Sequence, residues 1–200
     1  MTESSNSRPL LGLVLAGGKS RRMGRDKALL DHNGQSQLAF AVHLLDEHVD
    51  QVFVSTRAEQ RGESERRQFA QIIDHYEGIG PVAGILSAMD EHPHADWLVV
   101  ACDLPNIDAL TIRELLQHRT CEQPFVAFAS SHDGLPEPLC ALYLDGSEAL
   151  VRKFVEDGVH CPRKMLIRSS TLLLEQPDPR ALDNVNTVDD LHSSVLEAAS

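Results

Sequence analysis

The chain has 200 residues, 42% hydrophobic and 24% charged, with 18 Lys+Arg against 30 Asp+Glu and a formal net charge of -12. That length and balance suit a globular chain with one core, and the acidic surplus argues against nucleic-acid affinity, which needs a basic face. Residues 1–9 are polar and no run nears the ~18 apolar residues of a membrane span, so a cytoplasmic protein that binds neither nucleic acid nor membrane is expected.

Residues 1–8 are predicted to be a flexible N-terminal tail and 9–200 a single domain. The apolar run Leu10–Leu15 reads as a strand and ends in Gly17 and Gly18. Lys19, Arg21, Arg22, Arg25 and Lys27 follow, five basic residues in nine positions of an acidic chain. Glycines let backbone N–H groups approach an anion, and basic side chains neutralise it, so this segment reads as a triphosphate clamp. It is not a P-loop, since Gly24 is followed by Arg25, Asp26 and Lys27. Nor is it a dinucleotide fingerprint, because Gly17 and Gly18 are adjacent.

Leu38, Val42, Leu45 and Val49 share one helical face, and residues 51–55 return as a strand. Residues 59–68 are dense in charge and are expected to form a solvated face. Residues 71–74 form a short strand before the turn at Gly78 and Gly80, and Pro81 opens a helix. Residues 97–102 read as a central strand covered on both faces. Leu110, Leu115 and Leu116 give the next helix its inner face, and Phe125–Ala129 and residues 139–144 are further strands. Residues 148–157 read as a helix and Thr171–Leu174 as a strand. Thr187 and Asp190 read as an N-cap pair opening a last helix over 188–198. The alternation predicts a three-layer α/β/α fold, Rossmann-like, with a mainly parallel sheet. Ligands of such sheets bind outside the carboxyl ends of the strands, where Gly17, Gly18, Ser55, Asp74 and Asp103 all fall.

Asp103, at the end of the central strand, suits a hard cation that also holds substrate phosphates, or it caps the turn before the helix beginning near Ile107. Cys102, Cys121, Cys140 and Cys161 form no Cys-x-x-Cys pair, which argues for reduced thiols and against zinc. His92, His94 and Asp96 flank Pro93 and read as a surface turn. Gly78, Gly80 and Gly84 do not make a dinucleotide motif, because Pro81 lacks the donor a phosphate would need.

The pattern Leu-Ala-Gly-Gly-x-Ser-x-Arg-Met-Gly-x-Asp-Lys over residues 15–27, with Cys-Asp-Leu-Pro at 102–105, resembles the nucleotidyltransferases of molybdenum cofactor biosynthesis, most closely the molybdenum cofactor guanylyltransferase (MobA) family. The resemblance implies the nucleotide-diphospho transferase fold and transfer of GMP from GTP to the phosphate of molybdenum-molybdopterin, with Mg2+ and release of pyrophosphate. It also implies transient contact with cofactor-delivering proteins and apo-molybdoenzymes. By that resemblance Leu15, Ala16, Gly17, Gly18, Lys27, Ser55, Asp74 and Asp103 bind GTP, with Ser55 standing where the family carries asparagine. Lys27, Arg22 and Asp103 carry the chemistry: Lys27 on the α-phosphate, Arg22 on the departing phosphates and Asp103 on the metal. The resemblance also places Gly80, Pro138, Asn184 and Asn186 toward the pterin substrate, with the two asparagines alternatively completing the metal's outer shell or Asn186 only capping a helix, and Arg163 and Lys164 either meeting the pterin phosphate or lying exposed. An attacking phosphate monoester has its second pKa near ~6, so no general base is required. Two alternatives stay open: a cytidylyltransferase of the same pterin, whose members show Leu-Ala-Ala-Gly and Gly-Asp-Met-Pro, and a non-catalytic nucleotide or pterin carrier.

Overall fold

The computed structural model describes residues 8–18, 26–32 and 34–184. Leu10–Leu15 forms strand β1, and its side chains alternate between two cores as strand geometry requires. Leu10 and Val14 join one apolar cluster while Leu11 and Leu13 join the other. A short hairpin, β2 (Asp31–His32) and β3 (Gln35–Ser36), leads into helix α1 (Gln37–Asp46). Ser36 caps that helix by accepting from Ala39 N–H at 3.0 Å. Val49 lies beyond the helix end but packs against the same core as Leu45. Strands β4 (Gln51–Thr56) and β5 (Gln71–Ile73) follow, then α2 (Pro81–Glu91), begun by Gly80 at φ 62 and Pro81.

Strand β6 (Asp96–Ala101) is buried at every position, as the unbroken apolar run requires of a central strand. Helix α3 (Ala109–Gln117) buries Ile112 and Leu115, whereas Leu110, expected on the inner face, is 60% exposed. Leu110 is about half a turn from Ile112 and cannot share its face. The C-terminal half adds β7 (Phe125–Ala129), β8 (Pro136–Tyr143), α4 (Ser147–Glu156), α5 (Pro162–Ile167) and β9 (Thr171–Leu174). The strand expected over 139–144 thus begins earlier, at Pro136, and ends at Tyr143. The expected last helix over 188–198, with Thr187, lies outside the described residues.

Among the described residues the main sheet has seven strands in the order β5-β4-β1-β6-β8-β7-β9. Every pairing is parallel except the two made by β8, so the expected mainly parallel sheet is what forms. Helices α1 and α3 supply one apolar cluster, and α2, α4 and α5 supply the other on the opposite face. Trp97, Leu13 and Leu98 are almost wholly buried between these layers, each contributing roughly 1.5–3 kcal/mol by leaving water. The result is a rigid platform whose central strands β4, β1 and β6 end at one rim. No described helix is long and apolar enough to cross a membrane.

Candidate active site

A cleft of about 680 Å³ lies on that rim. The tips of β1, β4, β5 and β6 bring Gly17 and Gly18, Ser55, Asp74 and Asp103 to its wall, as the parallel topology requires. Leu15, Ala16, Lys27 and Gly80 line it too. Two other expected residues, Pro138 and Asn184, do not line it. Pro138 is buried in β8 with its carbonyl accepting from the Tyr143 hydroxyl at 3.0 Å, and only its neighbour Leu139 reaches the cleft. Asn184 is exposed and does not line the cleft. Arg22 and Asn186 lie outside the described residues. Arg163 is held by Asp133 at 3.2 Å and Glu137 at 2.8 Å, while Lys164 is exposed.

At one end of the cleft the Ser55 hydroxyl donates to Asp74 Oδ1 over 2.7 Å. Burial pushes the Asp74 carboxyl above its ordinary 3.8, opposed by the Ser55 hydrogen bond and by the positive charges of Arg57 and His75. Two glycines make this pair possible. A Cβ on Gly84 would come within 2.2 Å of Ser55 Oγ, and a Cβ on Gly17 would stand 3.1 Å from Asp74 Oδ2.

At the other end Lys27 Nζ lies 3.4 Å from Asp103 Oδ2, both side chains partly open to the cleft. Asp103 is not a helix cap: α3 begins at Ala109, and Asp108 caps it by accepting from Thr111 N–H at 2.8 Å. The described residues hold no group of three or more His, Cys, Asp or Glu side chains able to bind a metal. One oxygen donor beside an open cleft suits a hard divalent cation that brings its other ligands as phosphate oxygens and water. Burial pushes the Cys102 thiol up to about 12, helped by the negative charges of Asp103 and Asp26, so it is no nucleophile at neutral pH.

The segment expected to be a solvated face is largely open to solvent, with Gln60 and Arg66 the buried exceptions. It folds as two short turns around a fully buried guanidinium, that of Arg66 (0% exposed). Nη2 of Arg66 donates to the Ala16 carbonyl and to Asp26 Oδ2, each at 2.7 Å, and Nη1 pairs with Glu63. Asp26 in turn caps the turn that starts at Lys27, accepting from Ala28 N–H at 3.1 Å. A charge-rich sequence carries no periodic signal of which arginine turns inward, so this contact was invisible to pattern. Its one trace was Asp26, an acidic residue inside an otherwise basic run.

Fold and rim together define an α/β nucleotidyltransferase. The chain belongs to the MobA-like NTP transferase family, whose domain model matches residues 12–169. It is 40% identical over 144 residues to a probable molybdenum cofactor guanylyltransferase of Opitutus terrae, covering 70% of this chain and 69% of that one. It is 35% identical over 182 residues to a molybdenum cofactor biosynthesis bifunctional protein of Synechocystis sp., covering 91% of this chain and 52% of that one. The chain therefore spans about half the length of that relative. Among solved structures, molybdopterin-guanine dinucleotide biosynthesis protein A from Archaeoglobus fulgidus superposes with a TM-score of 0.77 at 22% identity, covering 94% of this chain and 98% of that one. A 4-diphosphocytidyl-2C-methyl-D-erythritol synthase superposes at 0.70 with 12% identity, covering 95% and 98%. At such identities these likenesses speak for the fold alone.

Proposed function

We propose that the protein transfers GMP from GTP to the terminal phosphate of molybdenum-bearing molybdopterin, forming the guanine dinucleotide and releasing pyrophosphate. The observation that carries this reading is the pairing, in one cleft, of a desolvated carboxylate at Asp74 with a lysine–carboxylate pair at Lys27 and Asp103. It is supported by the 40% identity to a relative named for guanylyl transfer.

Guanine offers N1–H and a 2-amino group side by side, and the Asp74 carboxylate accepts both. Ser55 donates to Oδ1 and so holds the carboxylate in one orientation. Cytosine has no such pair of donors, which disfavours the cytidylyl alternative. Gly17 and Gly18 turn backbone N–H groups toward the triphosphate, and Lys27 places its ammonium against the α-phosphate, where charge builds as the bond to the β-phosphate breaks. Arg22 is assigned to the departing β- and γ-phosphates, where a guanidinium can bind bidentately. The attacking pterin phosphate oxygen is already anionic and in-line displacement needs no proton transfer, so positioning and charge neutralisation carry the rate. Asp103 would hold a magnesium ion shared with the triphosphate, which would neutralise phosphate charge.

The test is pyrophosphate release from GTP by the purified protein. Release that needs both molybdopterin and Mg2+ supports transfer. Nucleotide binding without release would favour the carrier reading instead.

A further inference from the structure

We propose that Arg66 is a positioning residue for the transfer step, a buried staple that fixes the two ends of the phosphate-binding segment relative to each other. The proposal rests on the reading of the cleft as a triphosphate site. One nitrogen, Nη2, donates both to the Ala16 carbonyl before Gly17 and to Asp26 Oδ2 before Lys27, at 2.7 Å each. Fifty residues separate Arg66 from Ala16, so the contact ties distant parts of the chain.

Each end of the staple governs a group that faces the cleft. The peptide joining Ala16 to Gly17 is planar and trans, so its N–H points opposite to its carbonyl. Arg66 is wholly buried and does not line the cleft, whereas Gly17 does. Drawing the Ala16 carbonyl toward the guanidinium therefore turns the Gly17 N–H away from it. A cation on the carbonyl also polarises the peptide and strengthens that N–H as a donor. At the other end, Arg66 holds Oδ2 of Asp26 while Oδ1 caps the turn that presents Lys27. Lys27 then meets Asp103 from a turn that cannot rotate freely.

Donor geometry explains why arginine is needed here. The guanidinium spreads donors in a fixed fork, so Nη1 engages Glu63 while Nη2 serves both loop ends. A lysine ammonium would be shorter and could not reach all three partners in one plane. Nε is buried without a partner among the described residues, so the side chain is held by its two terminal nitrogens alone.

The experiment compares wild type, Arg66→Lys, Asp26→Asn and Glu63→Gln, each assayed well below its own melting midpoint. Each is run with whichever nucleotide the wild type turns over, so a wrong base assignment would sink the GTP reading and leave this comparison intact. Arg66→Lys should lose on the order of 10²-fold in kcat, the scale of an ångström-sized misplacement, with KM for the nucleotide changing less than about threefold. Asp26→Asn keeps the shape but turns an amide toward Arg66, and should lose roughly tenfold in kcat with KM held. Glu63→Gln removes the charge beside Nη1 but keeps an oxygen acceptor there and touches neither loop end, so it should lose clearly less kcat than either of the other variants. If Arg66→Lys does not fold, Asp26→Asn carries the test. Wild-type kcat in either variant, equal losses in all three, or losses that simply follow the folded fraction would overturn the proposal.

Discussion

The Ser55 hydroxyl rests directly over Gly84 of α2, where an added Cβ would come within 2.2 Å of Oγ and 2.9 Å of the Ser55 Cβ. Helix propensity and packing therefore make opposite forecasts for Gly84→Ala. Propensity would stabilise the helix interior by about 1 kcal/mol. Overpacking against a strand costs about 1–3 kcal/mol, and neither Ser55 nor the strand carrying it can retreat, because Ser55 is buried at the β4 tip. Net destabilisation of roughly 1–2 kcal/mol in urea unfolding is expected, with weaker guanosine binding because the Ser55–Asp74 hydrogen bond is disturbed. A more stable variant would show that the helix slides away freely.

Gly17→Ala probes the same wall from the phosphate side. Its Cβ would stand 3.1 Å from Asp74 Oδ2. The carboxylate must then shift by a few tenths of an ångström, and the two hydrogen bonds proposed for guanine lose their geometry. KM for GTP should rise by roughly tenfold, about 1.4 kcal/mol, while that for CTP changes little. Equal effects on both nucleotides would detach Asp74 from base selection.

The acid limb of nucleoside binding should report Asp74. Burial raises its carboxyl above the ordinary 3.8, so the folded protein binds this proton more tightly than the unfolded chain does. Ionised Asp74 thus costs stability above the raised value, and that cost is relieved as pH falls from there toward the unfolded value. Guanosine binding needs the anion and should follow the opposite course, weakening as pH falls through the raised value. Guanosine carries no phosphate, so calorimetric titration isolates the base. The pH dependence should vanish in Asp74→Asn; its persistence there would assign the limb to another group.

Asp103→Ala should reduce turnover by at least roughly 10³-fold while the melting midpoint stays close to that of wild type. The pair with Lys27 is partly exposed and spans 3.4 Å, a geometry worth only about 0–1 kcal/mol to stability. Turnover near wild type from this variant would remove Asp103 from the chemistry.

The strand tips were legible because β1 and β6 are unbroken apolar runs that stop at glycine or aspartate, and a parallel sheet sends all such stops to one rim. The reversed direction of β8 was not, since a strand reads alike either way and only its pairing with β6 and β7 sets its sense. Leu110 misled because a leucine on a short helix looks like core until its angle to Ile112 is fixed. Arg66 was hidden for the deepest reason. Among the charges of residues 59–68, burial of one guanidinium is decided by a carbonyl fifty residues earlier and a carboxylate forty residues earlier, which no local window contains.

Guanylyl transfer is tested most directly by offering the protein GTP, CTP, ATP and UTP together with metallated molybdopterin and Mg2+, and weighing the product by mass spectrometry. The guanine dinucleotide should form in large excess over the others. A cytosine dinucleotide as the main product, or no dinucleotide from a protein that binds GTP, would contradict it.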